Sequence, residues 1–157
     1  KDNNGVRSYR AAIDTMTDRF ASTVNILAIP GIRESFVTDH AIDRVKDFGQ
    51  ALYLMDMSQY DADGTRLYDD STGRPSVTKT ISEFEGRTLD ANSTAVYFPN
   101  VVIKDDNTGA NVEVPSSVAA LAALGFNDRV SFPWFAPAGF NRGSLDFVEN
   151  VGVRLTD

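Results

Sequence analysis

Apolar residues near the start of the chain recur at every third or fourth position, which is the spacing of one face of a helix. This spacing predicts an amphipathic helix over residues 6–22, and its apolar stripe consists of Val6, Tyr9, Ile13, Met16, Phe20 and Val24. The next apolar residues, 24–29, form a short and nearly continuous run that ends at Pro30. Such a run is typical of a strand that is covered on both faces.

The same succession of a helix and a strand follows twice more. A second helix is predicted over residues 33–48, with Gly49 in a left-handed cap, and a second strand over residues 51–55. A third helix has Pro75 in its first turn, and a third strand spans residues 94–98. Helices and strands that alternate with connections of this length predict parallel strands. We therefore expect an α/β fold in which helices flank a parallel-stranded sheet.

The pattern changes after Phe98. An apolar run at residues 101–103 and an alternating run at residues 111–114 flank a turn that is rich in Asp and Gly. Two short strands around such a turn predict a β-hairpin added to the α/β core.

A short helix and an irregular segment complete the chain. The helix is predicted over residues 118–124, begun by Ser116 or Ser117 and ended by Gly125. Residues 126–157 carry aromatic side chains among prolines and glycines. We expect irregular chain there, held in place by its large side chains.

The length of 157 residues and the hydrophobic content of 42% fit one folded domain. We interpret residues 1–157 as a single α/β domain, with helix–strand repeats over residues 6–98 and the hairpin, short helix and irregular tail over residues 99–157. No apolar stretch has the roughly 20 residues of a membrane-spanning helix, so we expect no membrane insertion. The absence of cysteine excludes disulfides and zinc–cysteine sites.

The chain is acidic, with 15 basic and 22 acidic residues and a net charge of −7. Nucleic-acid binding depends on neutralising phosphates with basic residues, so we expect no nucleic-acid partner. Arginines outnumber lysines by 11 to 4. Arginine is enriched at protein–protein contacts, which weakly favours a protein partner.

A candidate cation site follows the second predicted strand. Open parallel sheets bind ligands beyond the carboxyl ends of their strands, where Asp56 and Ser58 lie. A strand followed by Asp-x-Ser-x-Ser resembles the magnesium motif of von Willebrand A-type domains. However, Tyr60 replaces the second serine, and those domains carry the motif after their first strand. A cation-dependent adhesion or binding module is the alternative function, and the simpler interpretation is that Asp56 caps a turn.

Asp61, Asp63 and Gly64 resemble part of a calcium-binding loop. Aligning Gly64 with the glycine of that loop puts Asp61 and Asp63 at ligand positions. The same alignment puts Gln59 at the first position, normally Asp, and Asp70 where a bidentate Glu belongs. The simpler interpretation is a solvated acidic turn, so we assign no metal ligand and no cofactor.

No set of residues in the sequence predicts catalysis. His40 is the only histidine, it lies within the second predicted helix, and no Gly-x-Ser-x-Gly motif accompanies it. The carboxylate pairs at residues 69–70 and 105–106 lie in hydrophilic turns, where nothing raises the pKa of a carboxyl group. Gly31 alone, behind a proline, does not form a phosphate-binding loop. We assign no catalytic residue and predict that the protein is not an enzyme.

Three motifs follow one another in the final part of the chain. The strand AVYFPNVV at residues 95–102 comes first, VPSSVAAL at residues 114–121 second, and a segment that ends in FAPAGFNRG at residues 135–143 third. This succession resembles the contractile tail sheath proteins of bacteriophages and related contractile injection systems. In that family an aromatic-proline strand precedes a turn, a Val-Pro-x-Ser helix start, and a Trp followed by an Ala-Pro-Ala-Gly turn.

The positions that match the family's motifs are Tyr97, Phe98, Pro99, Pro115, Ser116, Ala119, Trp134, Ala136, Pro137, Ala138 and Gly139. ILAIPGI at residues 26–32 and the strand that ends in Asp56 are also similar to the family. Two features depart from it. The helix after Pro115 is rich in alanine where the family commonly has a Val-Ala-Gly turn, and the chain stops at Asp157, where members continue.

The resemblance implies a structural virion protein. Its partners would be other sheath subunits, in a helical homo-oligomer, and the tail tube protein. Its location would be the virion tail, after assembly in the host cytoplasm. Family members are linked by terminal arms that add strands to a neighbour's sheet, and neither arm is recognisable here, so we expect a core fragment. An enzyme domain with catalytic residues in another segment ranks last.

Overall fold

In the computed structural model, residues 3–68 and 71–153 are described, and they confirm the α/β class. Within these residues there are four helices, one parallel three-stranded sheet and two small antiparallel sheets. The chain forms two compact units, Lys1–Tyr97 and Phe98–Asp157, and the Phe98–Pro99 peptide bond is cis.

The first unit contains the parallel sheet. Its elements in chain order are α1 (Asn4–Met16), β1 (Ile26–Ala28), α2 (Ser35–Phe48), β2 (Leu52–Asp56), β3 (Gln59–Tyr60), β4 (Arg66–Leu67), α3 (Val77–Glu85) and β5 (Thr94–Tyr97). The strand order is β1-β2-β5, and both pairs are parallel. The prediction of three parallel strands is confirmed.

The core of the first unit forms around the central strand β2. Tyr53, Leu54 and Met55 are almost completely inaccessible to solvent, which explains why the strand is a continuous apolar run. Helix α2 contributes its buried face, including Ala41 and Val45. Burial raises the pKa of the Tyr53 hydroxyl, and the nearby charge of Asp56 raises it further.

The first predicted helix is too long at its carboxyl end. Helix α1 ends at Met16, and only Val6 and Ile13 of its apolar stripe are buried. The Thr17 hydroxyl donates to the Ile13 carbonyl at 2.7 Å, and the Phe20 amide donates to the Asp18 carboxylate at 2.8 Å. Side chains that compete for backbone hydrogen bonds in this way replace the next helical turn.

The other boundaries of the first unit are largely as predicted. Gly49 caps α2 in the left-handed conformation, with φ 70°, which confirms that prediction. Pro75 lies before α3 and not in its first turn, because the Ser76 hydroxyl caps that helix by accepting from the Lys79 amide. The hairpin of β3 and β4 was not predicted, since two-residue strands are too short to show a period.

The second unit contains an antiparallel sheet and one long helix. Its elements are β6 (Val101–Lys104), β7 (Asn111–Val114), α4 (Ser116–Val130) and β8 (Val148–Val151). The sheet order is β7-β6-β8, so the predicted hairpin of β6 and β7 is confirmed. Strand β8 pairs with β6 inside the segment that was predicted to be irregular.

Helix α4 differs from its prediction at both ends. It begins at Ser116 with Pro115 as its N-cap, so neither Ser116 nor Ser117 caps it. It also continues through Gly125 and ends before Ser131. A helical glycine costs only about 1 kcal/mol relative to alanine, and the alanine-rich sequence around Gly125 favours helix strongly enough to absorb that cost.

Two glycines of the second unit should respond oppositely to alanine. Gly125→Ala places its Cβ in open space within a helix, and we expect about 0.5–1 kcal/mol of added stability. Gly143→Ala places its Cβ 2.7 Å from the Pro137 carbonyl oxygen, and we expect a loss of about 1–3 kcal/mol. Urea unfolding followed by fluorescence of Trp134, the single tryptophan, measures both. Stabilisation by Gly143→Ala would contradict the described loop.

Candidate functional site

The two residues of the von Willebrand-type motif lie at the carboxyl edge of the parallel sheet, as the order of elements predicted. Asp56 is buried at the end of β2, and its Oδ2 accepts a hydrogen bond from the Gly31 amide at 3.1 Å. The Ser58 hydroxyl donates to the Arg33 carbonyl at 2.9 Å. Both side chains therefore hold the loop that follows β1.

The acidic turn that resembles a calcium loop joins β3 to β4. One oxygen of Asp61 accepts from the amides of Asp63, at 3.0 Å, and Thr65, at 2.7 Å, while the Asp63 side chain is exposed. Gln59 belongs to β3 and pairs with Leu67. These hydrogen bonds are those of a side-chain-capped turn.

Residues 69–70, which include the candidate ligand Asp70 and one predicted carboxylate pair, lie outside the described residues. Within residues 3–68 and 71–153, no group of three or more His, Asp and Glu side chains is placed to hold a metal ion. The same part of the chain contains no helix with the length and apolarity needed to cross a membrane.

Calcium and magnesium should leave the melting temperature unchanged, because no group of three or more acidic side chains in the described residues is placed to hold a metal ion. Asp61→Ala should cost about 1 kcal/mol through the loss of its hydrogen bonds to two backbone amides, whereas Asp61→Asn should retain most of the stability. Thermal melts with each cation and with a chelator provide the measurement. A ligand that binds only the folded state raises its melting temperature, so a chelator-reversible increase would favour the cation-binding alternative.

His40 lies on α2 and belongs to a cluster of polar side chains between α1 and α2. Its Nε2 is 2.8 Å from Asp14 Oδ1, and Arg44 Nε is 3.0 Å from the same oxygen. The cluster lines a groove of about 1030 Å³. The groove also contains Thr15 and Thr17, whose hydroxyls donate to carbonyls of their own helix. This arrangement joins the two helices through side-chain contacts.

The second predicted carboxylate pair lies in the turn between β6 and β7. Asp105 accepts hydrogen bonds from the Thr108 hydroxyl at 2.6 Å and from the Asn107 amide at 3.0 Å. These two bonds lower the pKa of Asp105. Asp106 beside it is exposed. A general acid at neutral pH needs a raised carboxyl pKa, so Asp105 is suited to capping the turn.

Six aromatic side chains are exposed in the described part of the second unit, and we call them collectively the aromatic surface. Its members are Phe126, Phe132, Trp134, Phe135, Phe140 and Phe147. Trp134 is 75% exposed and Phe140 is 99% exposed. The rings of Phe132 and Trp134 stack with centroids 4.8 Å apart, and Phe135 meets both edge-on. The expectation that these side chains pin the tail in place is wrong for Trp134 and Phe140, which face solvent.

Polar contacts fix the chain that carries the aromatic surface. Asn127, which is buried on α4, donates through Nδ2 to the Phe135 carbonyl at 2.9 Å. The loop after Phe135 closes with a hydrogen bond from the Gly143 amide to the Gly139 carbonyl at 2.9 Å. Beside this loop, a groove of about 460 Å³ is lined by residues of α4 and by Phe140 and Phe147. Sequence reasoning missed Asn127, since a single asparagine in a helix gives no signal.

The residues of the family-like motifs occupy defined places in the structure. Tyr97 ends β5, and Pro115 is the N-cap of α4. Ser116 and Ala119 are buried in the first turns of that helix. Phe98 and Pro99 lie between β5 and β6. The remaining matched positions lie in the segment between α4 and β8 and are Trp134, Ala136, Pro137, Ala138 and Gly139.

A search of protein-family models found no match to this chain, and a search of curated proteins found none either.

Proposed function

We propose that this chain is the α/β core of a contractile tail sheath subunit. Such a subunit is a structural virion protein that polymerises around the tail tube and contracts to drive the tube through the host envelope. The observation that carries the proposal is an overlap: Trp134 and Phe135 belong both to the third family-like motif and to the aromatic surface. A motif that resembles an assembling family thus contains side chains suited to a subunit contact.

The distribution of exposed apolar residues supports an assembly role. Ten of the seventeen large hydrophobic residues found exposed in the described chain lie in the second unit, which is the shorter of the two. Aromatic residues are enriched where protein partners meet. The partner that we propose for this surface is a second copy of the chain.

The edges of the second unit's sheet offer another means of assembly. Strands β7 and β8 are its two edges, and each has an exposed valine, Val112 and Val151. An edge strand can accept a strand from a neighbouring chain through backbone hydrogen bonds. We propose that neighbouring sheath subunits use such edges, and that the tail tube protein is the second partner.

The roles of the acidic residues agree with a non-enzymatic function. Asp56, Asp61 and Asp105 each accept hydrogen bonds from backbone amides and so stabilise loops. In our proposal the protein does mechanical work by exchanging one set of contacts for another, and its folded core stays rigid during contraction.

Substitutions in the aromatic surface should prevent assembly without unfolding the subunit. We expect Trp134→Ser and Phe140→Ser, made in the complete gene product that contains this chain, to abolish rings and tubes. Both side chains are exposed in a single copy, so little core packing is lost. Sedimentation velocity and negative-stain electron microscopy measure the assembly, and circular dichroism verifies the fold.

Phe20→Ser is the matched control, because Phe20 is fully exposed in the first unit and lies outside the aromatic surface. It should assemble like the unsubstituted protein. Failure of the unsubstituted gene product to form rings or tubes under any condition would contradict the sheath proposal. Normal assembly of Trp134→Ser and Phe140→Ser would show instead that the aromatic surface is not the contact.

A further inference from the structure

Three arginines from distant parts of the sequence line one small pocket in the first unit. Arg33 follows β1, Arg66 belongs to β4, and Arg87 follows α3. The chain as a whole carries a net charge of −7. Among the described residues, the lining contains these three arginines and one acidic residue, Glu83. Two of the arginines also pair with carboxylates outside the lining, Arg66 with Glu34 and Arg87 with Asp39. The pocket therefore brings three arginine side chains together in an acidic protein.

Two of these arginines, Arg66 and Arg87, are only partly satisfied by protein groups. Arg66 donates to Glu34 Oε2 at 3.4 Å and to the Arg33 carbonyl at 3.3 Å. Arg87 contacts the Asp39 carboxylate and donates to the Thr38 hydroxyl at 2.9 Å, both through Nη2. A guanidinium has five N–H donors, so these contacts use a minority of them.

One of the remaining donors is buried. The Nε of Arg87 is inaccessible to solvent and has no hydrogen-bond partner in the part of the chain that the structure describes. A buried donor without a partner costs about 1–3 kcal/mol, and an unseen water or ion is a common explanation for one. Burial also lowers the pKa of the Arg87 guanidinium.

The position of the pocket suits an anion. It lies where the loops after β1 and β2 meet, at the carboxyl edge of the parallel sheet, which is the usual ligand-binding edge of such sheets. Ser35, the first residue of α2, and Tyr60 also line it and supply hydroxyl groups. The positive end of the 14-residue helix α2 adds a favourable field.

The volume of the pocket limits the ligand. At about 60 Å³ it has room for only a few water-sized groups, which excludes a nucleoside or a sugar ring. The planar fork of arginine matches the oxygens of a phosphate group. We propose that this pocket binds a small tetrahedral oxyanion of the size of phosphate or sulfate, held by Arg33, Arg66 and Arg87. The proposal does not depend on the proposed sheath function.

Titration of the ¹⁵N-labelled chain with inorganic phosphate tests this site directly. Ionic strength is held constant with chloride, so that general screening does not change. We expect saturable shifts of the amide signals of Ser35, Ser58 and Tyr60, with little change elsewhere. Sulfate should compete with phosphate, whereas acetate should bind at least tenfold more weakly. Shifts spread evenly over the chain, or no saturation, would overturn the proposal.

Variants assign the binding to the arginines. Arg66→Gln and Arg87→Gln should each weaken phosphate binding at least tenfold, and Arg66→Lys, which keeps the charge but loses the fork, should have an intermediate affinity. Arg10→Gln, on the exposed face of α1, is the matched control and should bind like the unsubstituted chain. Amide signals outside the pocket verify that each variant is folded. Unchanged affinity in folded Arg66→Gln would overturn the assignment.

The same titration, repeated with O-phosphoserine, distinguishes a free phosphate ion from a phosphate group carried by a partner. O-phosphoserine presents a phosphate group attached to a larger molecule. Binding of both ligands at this site would mean that it accepts a phosphoryl group on a partner, whereas binding of inorganic phosphate alone would identify a free ion as the ligand. Either result supports the oxyanion site, and binding of neither contradicts it.

Discussion

The burial of strand β2 is the constraint on which the first unit depends. This strand is hydrogen-bonded to a parallel neighbour on each side, and its Tyr53, Leu54 and Met55 are removed from water. Helices must cover such a strand, and crossover connections place the following loops at its carboxyl end. The positions of Asp56, Ser58 and the arginine pocket therefore follow from how β2 is buried.

The second unit, in contrast, leaves many of its apolar side chains exposed to solvent. Its sheet has three short strands, and helix α4 leaves Phe126 and Val130 exposed, together with the aromatic residues of the following segment. Within the described chain this unit does not cover its own apolar surface. Assembly with another copy would remove this surface from water, and each Å² of apolar surface buried contributes about 25 cal/mol. The free energy that such burial would contribute agrees with the resemblance to sheath proteins, which was found in the sequence alone.

Local patterns predicted the parts of the fold that local forces determine. The apolar run of β2 and the cap at Gly49 are examples, because burial on two faces and a left-handed cap each leave a sequence signal. Gly125 was predicted to end a helix, but α4 continues through it because the helix propensity of its neighbours outweighs the cost of one glycine. Strand β8 was missed because its partner β6 lies more than forty residues away.

For the candidate sites, the sequence predicted where some residues lie but not which groups they contact. The order of elements placed Asp56 and Ser58 at the carboxyl edge of the sheet, but only the tertiary structure reveals that they bind the loop after β1. The arginine pocket had no sequence signal, because Arg33, Arg66 and Arg87 are far apart in the chain and have no common motif. A site built from several loops is determined by packing, which no spacing rule describes.

Hydroxyl-radical footprinting of assembled and dissociated protein tests most directly whether the second unit acts through its exposed surface. Aromatic rings are oxidised in proportion to their accessibility, and Trp134, Phe140 and Phe20 are all open to solvent in a single copy. Our account predicts that assembly reduces the oxidation of Trp134 and Phe140 severalfold while that of Phe20 stays the same. Equal oxidation of Trp134 and Phe140 in the two states would contradict it.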